Sequence, residues 1–518
     1  MRRILVRLTS GLASLCVLTA TSCGGGGSGS KGEETVAFQV VPLPETLTAV
    51  QFPWFTADGE ALLFSAQPEG SPRVELMSVR EDGSELRCLS CGVAPEVTEP
   101  LLKPLPFTDG RRVILRVGLQ NPGRAADHAV FECRPSVAQC NEAELVPIVI
   151  PPDDPEIVRQ DQREFKIAPD GRHVGFTQVR AAAGGGTLLT AIVGTMEREG
   201  DVYPVRDARV VSTLGELKGF TPDGKSVIVT GFESPYEAAN PDATTLDLTT
   251  GAVTRVTRYP DYDEPVDFSP DGRWFVVGSA RTSGLCETVA QVRRPNFLGD
   301  GLEPLIGSLF VSDRASLLQP WIVATDLESA DHPGQQLNPG SAAEGYSGRA
   351  FPNWSPDGTR VTFWEGTTEP NLPPTTGTRI VVARLVGRRP VSPPGDRTSP
   401  DPVWAPPLAG LLPIPPPTPS SRAGEHGGSV EIEESTLGDA QVIEVTYRAF
   451  SDDGEFVIDG TERAEFAGGL AGRTEYTADL TLSGRHSGFF RADAHIDASG
   501  IYGLIESELD GKRLELPR

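Results

Sequence analysis

The chain has 518 residues, with 46 Lys and Arg against 71 Asp and Glu, so its formal net charge is −25. Proteins whose main task is to bind nucleic acid need clustered positive charge, and this balance excludes that class. The 56 Gly and 46 Pro make the chain rich in turns, while 38% hydrophobic residues suffice for a buried core. Composition therefore favours a folded, turn-rich protein with few long helices.

The first 22 residues have the layout of a secretion signal. Arg2, Arg3 and Arg7 flank the start of an apolar run from about Ile4 to Ala20. Such a run is too short to span a membrane and is typical of a cleaved export signal. We therefore predict a signal peptide over residues 1–22 and an exported protein.

Residues 20–23, Ala-Thr-Ser-Cys, resemble the lipobox of bacterial lipoproteins. The resemblance implies that the thiol of Cys23 carries a lipid and that Cys23 becomes the new N-terminus. A Gly-rich tether, predicted over residues 23–36, would hold the folded body off the membrane. Gly24 after the cysteine implies sorting to the outer membrane, with the body periplasmic or surface-exposed. The alternative is an ordinary signal peptide with an incidental cysteine.

One short phrase recurs along the chain and predicts its architecture. Each copy has an apolar or aromatic residue, an Asp-Gly turn and a second apolar strand, because Asp bonds its own backbone and Gly takes positive φ. The six copies are Trp54–Ala66, Pro106–Val117, Lys166–Gln178, Gly219–Gly231, Asp267–Ser279 and Asn353–Glu365. Most copies follow one another at intervals of about 50 residues, which is the length of a four-stranded propeller blade.

The phrases at residues 220–224, 268–272 and 354–358 resemble the TolB-like (WD-like) β-propeller repeat. The resemblance covers roughly residues 37–405 and implies an all-β, six-bladed propeller. A further strand-like piece at residues 401–406 would either close the ring with the early strand near residues 36–41 or mark a seventh blade. The family's protein carries an N-terminal α/β domain before the propeller, whereas the tether stands in that place here, and this departure argues against a role in the Tol system.

Three further segments complete the predicted organisation. Residues 280–318 form an insertion in the fifth repeat, and its arginines (Arg281, Arg293 and Arg294) make it a candidate partner-binding loop on an acidic body; the alternative is a surface loop. Residues 406–428 are rich in Pro and then Gly, which favours a linker. Residues 429–518 alternate apolar and polar side chains, which predicts a small antiparallel β-domain, either a sandwich or barrel-like.

Two local cysteine pairs are candidate disulfides, Cys88 with Cys91 and Cys133 with Cys140, because export exposes thiols to oxidising conditions. Cys286 is left over. The alternative is a zinc site of four thiolates, which the six residues between Cys133 and Cys140 disfavour. The acidic runs at residues 261–264 and 452–454 lack the spacing of a calcium loop and are read as solvated turns.

No catalytic, cofactor or metal residue is predicted. Residues 484–488 only approximate a nucleophile elbow, and His486 lacks a partner there. Some propeller lyases similar to the TolB family hold a metal with several axial histidines, whereas the six histidines here fall outside the inner-strand positions; they are His128, His173, His332, His426, His486 and His495. The residues just before the turn aromatics share no ligand chemistry; they are Trp54, Pro106, Lys166, Gly219, Asp267 and Asn353.

We favour a non-enzymatic, lipid-anchored scaffold that binds an envelope or surface protein, or a peptidoglycan-associated one. A closed ring suits this function because its blades brace one another while the end loops vary. The alternative is a polysaccharide lyase or hydrolase that works in the axial mouth, which would require ionisable groups to converge there. A third possibility is a small-ligand sensor that uses the C-terminal module as a lid.

Overall fold

A computed structural model describes most of the chain, and within it the protein is all-β apart from short helices. No helix among these residues is long and apolar enough to cross a membrane. The signal peptide, Cys23 and the tether up to residue 33 lie outside the described residues. Those described are 34–118, 127–150, 159–181, 187–213, 215–231, 241–281, 283–298, 302–311, 315–316, 318–329, 332–369, 376–409, 420–468 and 472–516.

Residues 35–386 contribute 25 strands, which pair into small antiparallel sheets. The meanders are β2 to β5, β6 to β9, β10 to β13, β14 to β17, β18 to β21, and β22 to β25 together with β1. A short parallel contact between β9 and β13 joins the second and third meanders. The strands are β1 (Thr35–Val40), β2 (Thr48–Phe55), β3 (Leu62–Gln67), β4 (Glu75–Val79), β5 (Arg87–Cys88), β6 (Leu101–Pro106), β7 (Arg112–Val117), β8 (Asp127–Arg134), β9 (Glu142–Val149), β10 (Arg159–Ile167), β11 (His173–Ala181), β12 (Thr187–Met196), β13 (Tyr203–Ser212), β14 (Gly215–Phe220), β15 (Ser226–Gly231), β16 (Asp242–Asp247), β17 (Val253–Arg255), β18 (Asp263–Phe268), β19 (Trp274–Ser279), β20 (Gln319–Ala324), β21 (Gln335–Gln336), β22 (Tyr346–Gly348), β23 (Asn353–Trp354), β24 (Arg360–Thr367) and β25 (Arg379–Val386).

The six Asp-Gly phrases form the predicted hairpin turns. In every copy the aspartate Oδ1 accepts a hydrogen bond from the backbone N–H two residues later, at 2.8 to 3.2 Å. The glycine that follows has φ between 67° and 72° in all six copies, a conformation that L side chains rarely adopt. The interpretation of these aspartates as turn-formers is confirmed.

The inner strands close into a ring. Neighbours β2 and β6, β10 and β14, β14 and β18, β18 and β23, and β23 and β2 are in contact, and an ion pair described below joins β6 to β10. The early strand β1 completes the last sheet by pairing with β25, with Val36 opposite Leu385. Residues 401–406 do not close the ring or start a blade: they form turns, and the next residue, Pro407, bridges Arg209 on β13. Their prolines withhold the N–H groups that a strand needs.

The insertion in the fifth sheet carries two helices, α1 (Leu285–Ala290) and α2 (Glu303–Val311). They lie between β19 and β20 and contact the C-terminal sheet, in which eight strands follow one another in chain order. Both helices and this sheet share one apolar core, which also contains Tyr262 and Ala350 of the ring. The strands are β26 (Ser421–Ala423), β27 (Gly427–Leu437), β28 (Ala440–Ser451), β29 (Phe456–Ala467), β30 (Arg473–Gly484), β31 (Gly488–Asp497), β32 (Gly500–Leu509) and β33 (Lys512–Leu516).

The structure differs from the sequence prediction at two segment boundaries, the start of the ring and the end of the linker. The ring begins at Thr35 rather than at residue 37, because β1 uses its whole length to pair with β25. The linker predicted over residues 406–428 is also too long, because Ser421–Ala423 pair with β27 and a strand begins at Gly427. Gly427 and Gly428 take positive φ inside this hairpin. The glycines at the end of the predicted linker therefore form a turn rather than a flexible segment.

Candidate functional site

Charged side chains from neighbouring inner strands meet inside the ring. Nζ of Lys103 on β6 donates a 2.8 Å hydrogen bond to Oε1 of Glu164 on β10. Lys218 on β14, whose side chain is fully buried, pairs with Glu216 of its own strand and with Glu264 on β18. The pairs Lys103–Glu164 and Lys218–Glu264 each join inner strands of neighbouring meanders, so these charges help to hold the meanders around the axis.

Two further contacts extend this network. Arg163 on β10 pairs with Glu216, and the Tyr262 hydroxyl donates to Glu264. Burial alone would raise the pKa of Glu164, but Lys103 and the other axial lysines outweigh it and hold that pKa well below its usual range. Glu164 is therefore ionised and committed to lysine.

Two aromatic rings lie beside this charged network. Phe52 on β2 and Phe351, just before β23, have ring centroids 5.6 Å apart in an edge-on arrangement. Nζ of Lys103 lies 4.6 Å from the centroid of Phe351. A cation above an aromatic face is attracted to the negative charge of that face, which stabilises the buried ammonium.

Strand bulges turn these side chains toward the axis. The register of β6 shifts between Leu102 and Leu105, and that of β10 shifts between Arg163 and Lys166. The non-glycine residues Phe52, Lys103 and Glu164 have φ of 55°, 50° and 59° at equivalent points of their strands. A bulge bends its strand and re-aims a side chain, which here places unlike residues at one level of the ring.

The sequence did not reveal this network. Phe52, Lys103 and Glu164 lie six residues before their turn aspartates, but Lys218 lies five and Glu264 seven residues before theirs. The bulges change the count from copy to copy, so alignment on the turns does not superimpose the charges. One signal in the sequence points to this network. The chain has only six lysines, and three of them, Lys103, Lys166 and Lys218, lie shortly before a turn phrase or at its start.

A cavity of about 460 Å³ opens at the turn end of the inner strands. Its walls include Phe220, Phe268, Trp354 and many prolines. The residues just before the turn aromatics, which share no ligand chemistry in the sequence, all line it; they are Trp54, Pro106, Lys166, Gly219, Asp267 and Asn353. The repeat therefore places one residue per sheet at this axial mouth.

Lys166 is a cationic side chain that lines this cavity. Its Nζ makes no hydrogen bond to another described residue, and the nearest carboxylate oxygen, Oε2 of Glu164, is 3.8 Å away. Burial, with Lys103 and Lys218 close by, lowers the pKa of Lys166 to about 8. Asp267 accepts a 2.9 Å hydrogen bond from the Trp354 N–H, and burial raises its pKa to about 6.

A strap of residues 388–409 crosses the turn face of the ring. It begins where the Val391 N–H donates to the Asp357 carbonyl oxygen, and Pro393 and Arg397 then line the axial cavity. Farther on, Asp401 accepts a hydrogen bond from Nε2 of His173 at 3.0 Å. The strap therefore forms part of the cavity wall, next to the turns.

The opposite end of the ring contacts the C-terminal sheet through the insertion. Arg294 is 1% exposed, and its guanidinium donates to Glu462 at 3.0 Å and to the Tyr476 hydroxyl at 3.0 Å. Arg281 is fully buried between Asp263 and Glu328. Arg281 and Arg294 thus serve this chain's own packing, which corrects their assignment as contacts for another protein; Arg293 remains exposed.

The acidic run at residues 261–264 is not a solvated turn. Asp261 and Asp263 are fully buried, and Asp263 forms the ion pair with Arg281. Asp452 likewise pairs with Arg422, whereas Asp453 bonds the N–H groups of Glu455 and Phe456 as a turn-former. A buried carboxylate needs a cation or hydrogen-bond donors, and the sequence gap of 18 residues between Asp263 and Arg281 hid that partner.

The cysteines and histidines fall outside the axial mouth. Sγ atoms are 1.92 Å apart in the pair Cys88–Cys91 and 2.01 Å apart in the pair Cys133–Cys140, and Cys286 is free and buried. Oxidation of both pairs in the exported protein stays a prediction. In the described part of the chain, no three His, Cys, Asp or Glu side chains are grouped to hold a metal ion.

No protein-family model matches the chain. It is 28% identical over 163 residues to the uncharacterized protein Atu1656 of Agrobacterium fabrum, which covers 28% of this chain and 53% of that protein. The chain thus spans about half the length of this relative.

Among solved structures, a putative TolB from Agrobacterium tumefaciens is 19% identical, with a TM-score of 0.34 over 60% of this chain and 88% of the other. TolB from Acinetobacter baumannii is 13% identical, with a TM-score of 0.34 over 65% and 66% of the two chains. An oligogalacturonate lyase in complex with manganese is 12% identical, with a TM-score of 0.37 over 68% and 94%.

Proposed function

We propose that this protein is a non-enzymatic binding protein of the bacterial cell envelope: a six-bladed propeller, lipid-anchored through Cys23 in the outer membrane, whose axial mouth binds a segment of an envelope or surface protein. The observation that carries the proposal is the 460 Å³ cavity at the turn end of the ring. Its apolar and aromatic walls on a braced scaffold have the character of a binding hot spot.

The polar groups around this mouth are largely occupied by the fold itself. The hydroxyls of Thr56, Thr221 and Ser355 each bond their own turn aspartate at 2.5 to 2.6 Å. The carboxylates of Glu164 and Glu264 are committed to lysines. What remains for a ligand is mainly apolar surface, which favours an apolar or aromatic segment over a polar sugar chain.

Site-specific photo-crosslinking in intact cells tests the binding face. A benzophenone amino acid in place of Phe220 should form a defined adduct with one envelope protein, whereas the same group at Val253, an exposed residue of the outer strand β17, should not. The variant Phe220→Asp should then fail to retain that protein in a pull-down, because a carboxylate in an apolar wall opposes its burial. Equal adducts from both positions would contradict an axial binding site.

The lipid anchor is tested separately. Cys23→Ser should move the protein from the membrane fraction to the soluble fraction, because a strongly acidic body gains nothing from anionic lipid head groups. Full retention of the Cys23→Ser protein in membranes would contradict lipidation as the means of attachment.

The second candidate function is a polysaccharide lyase or hydrolase acting in the same mouth. It is favoured by Lys166, because an amine with a pKa of about 8 that faces a cavity suits a general base. The purified protein should then release unsaturated oligosaccharides from an acidic polysaccharide, and Lys166→Gln should abolish this release. Absence of product from a panel of acidic polysaccharides would leave the binding function as the one supported.

A further inference from the structure

We propose that Lys166 is a nucleophilic amine that captures apolar aldehydes in the axial mouth as Schiff bases. This goes beyond the binding of a protein segment, because it assigns a covalent chemistry to one atom, Nζ of Lys166. The proposal rests on three observations: the placement of that nitrogen, the character of the cavity and a comparison with the other axial lysines.

The three axial lysines differ in what their nitrogens do. Nζ of Lys103 donates to Glu164 at 2.8 Å, and Nζ of Lys218 lies between Glu216 and Glu264. In both cases a carboxylate occupies the nitrogen that would have to attack. Lys166 alone of the three has its nitrogen free of hydrogen bonds to the described residues, although its side chain is only 12% exposed.

The surroundings favour the neutral amine. The charged groups that face Lys166 are Glu164 on its own strand, Lys103 on β6, Lys218 on β14 and Asp267 on β18. Desolvation and the two neighbouring ammonium groups outweigh the two carboxylates. Nucleophilic lysines are activated in this way, by an apolar site or an adjacent cation.

The cavity fits an apolar carbonyl compound. Nζ of Lys166 lies 5.4 Å from the centroid of Phe351 and 5.9 Å from that of Trp54, so a planar body attached to the carbonyl carbon would lie against these rings. The amine lone pair attacks that carbon, and one N–H proton moves to the carbonyl oxygen to give a carbinolamine. The second N–H proton then moves to the hydroxyl group, the C–O bond breaks, and water leaves as the C=N bond of the imine forms. Asp267, in the same cavity lining, can accept and return a proton. No oxidant or reductant is needed.

Reductive trapping tests the proposal on the complete protein. Benzaldehyde with sodium cyanoborohydride at pH 7.5 converts the imine to a secondary amine, and peptide mass spectrometry locates it. About a quarter of an amine with a pKa of 8 is neutral at this pH, against about one part in a thousand for an ordinary lysine. We expect Lys166 to be modified at least tenfold faster than the exposed Lys512.

Two further measurements exclude trivial outcomes. The rate at Lys166 should rise with pH to a plateau with a midpoint near 8, whereas the rate for Nα-acetyl-lysine, an ordinary amine added to the same mixture, should still rise above pH 9. Lys166→Arg should remove the fast phase and leave the slow modification of Lys512 unchanged. Similar rates at the two lysines, or a fast phase that survives Lys166→Arg, would overturn the proposal; neither result bears on whether a protein segment binds at Phe220.

Discussion

At the scale of single residues, the partners of some charged side chains can be predicted from the adjacent sequence, and the partners of others cannot. The turn aspartates bond a backbone N–H two residues away, so their role follows from three consecutive letters of sequence. Arg281 and Arg294 give no such local signal, because their carboxylate partners lie on other elements. The sequence therefore predicts an exposed Arg294 in a loop, whereas its guanidinium joins the insertion to the C-terminal sheet.

Replacement of Arg294 by Leu should strongly destabilise the C-terminal sheet. The change leaves the Glu462 carboxylate, which is about 1% exposed, without its cation, and breaking a buried pair from one side costs about 3 to 5 kcal/mol. The midpoint of urea unfolding, followed by fluorescence and by protection of residues 421–516 from proteolysis, measures the loss. The control Arg473→Leu breaks an exposed ion pair with Asp439 in the same sheet and should change little.

The double variant Arg294→Met with Glu462→Gln separates the lost ion pair from lost packing. It removes both charges, while the new amide oxygen can still accept a hydrogen bond from the buried hydroxyls of Tyr447 and Tyr476, so most of the stability should return. If the double variant is as unstable as Arg294→Leu, the ion pair is not what holds the insertion to the sheet.

At the scale of elements, the strap of residues 388–409 contacts the turns of the ring at several points, and two of these contacts can be tested by substitution. The first is at Gly224, where an added Cβ would lie 2.7 Å from the Ser399 Oγ and 2.8 Å from the Arg397 carbonyl oxygen. Gly224→Ala should therefore displace the strap as well as pay about 1 to 2 kcal/mol for positive φ. The matched control Gly272→Ala has nearly the same φ but no atom within 4 Å of its Cβ.

Limited proteolysis distinguishes these two effects. Both glycine variants should lower the melting temperature, but only Gly224→Ala should speed cleavage within residues 388–409. Equal cleavage rates in the two variants would mean that the strap does not depend on close approach to the turn at Gly224.

The second contact is a histidine clip whose strength should depend on pH. Nδ1 of His173 is 2.6 Å from Oδ2 of Asp170, and Nε2 is 3.0 Å from Oδ1 of Asp401. Burial lowers the pKa of His173, but the hydrogen bonds to the two carboxylates outweigh it, so the net shift is upward. Both nitrogens donate only in the protonated ring. The stabilisation is therefore complete below about pH 6.5 and is lost as pH rises through the pKa of the folded protein.

We expect cleavage of the strap to accelerate between pH 6 and pH 9 relative to cleavage elsewhere in the chain. His173→Gln keeps polar side-chain atoms but cannot titrate, so it should flatten this pH dependence. A strap whose relative cleavage rate is the same at both pH values in the unmodified protein would contradict the clip.

At the scale of the whole molecule, the predictable part is what the repeat encodes locally, and the unpredictable part is what the ring brings together. Six turns with φ near 70° and strands of the expected length follow from the phrases. The network of Lys103, Glu164 and Lys218 spans sheets that are about 50 residues apart in sequence, and bulges shift its members out of alignment. Likewise, the sequence pattern indicated the C-terminal strands but not the helices of another segment that complete their core.

Closure of the ring pairs the early strand β1 with β25, and the first sheet packs against the last sheet beside this pair. No covalent bond joins these strands in the described residues, so the last sheet can open by losing one strand of six residues. Val36 and Leu385 lie opposite each other, which places their Cβ atoms at a distance that a disulfide can span. The double variant Val36→Cys with Leu385→Cys should therefore oxidise readily and lock the ring.

The locked ring should unfold at higher temperature and at higher denaturant concentration than the same protein after reduction. A disulfide that closes a loop of several hundred residues stabilises by up to about 5 kcal/mol, because it restricts the unfolded chain. Comparison of oxidised and reduced forms of one variant cancels the loss of the buried Leu385 side chain. The single variant Val36→Cys controls for effects of oxidant on the native cysteines. If oxidation forms the bond but leaves the melting temperature unchanged, separation of β1 from β25 is not an early step in unfolding, and another contact between the sheets limits the stability of the ring.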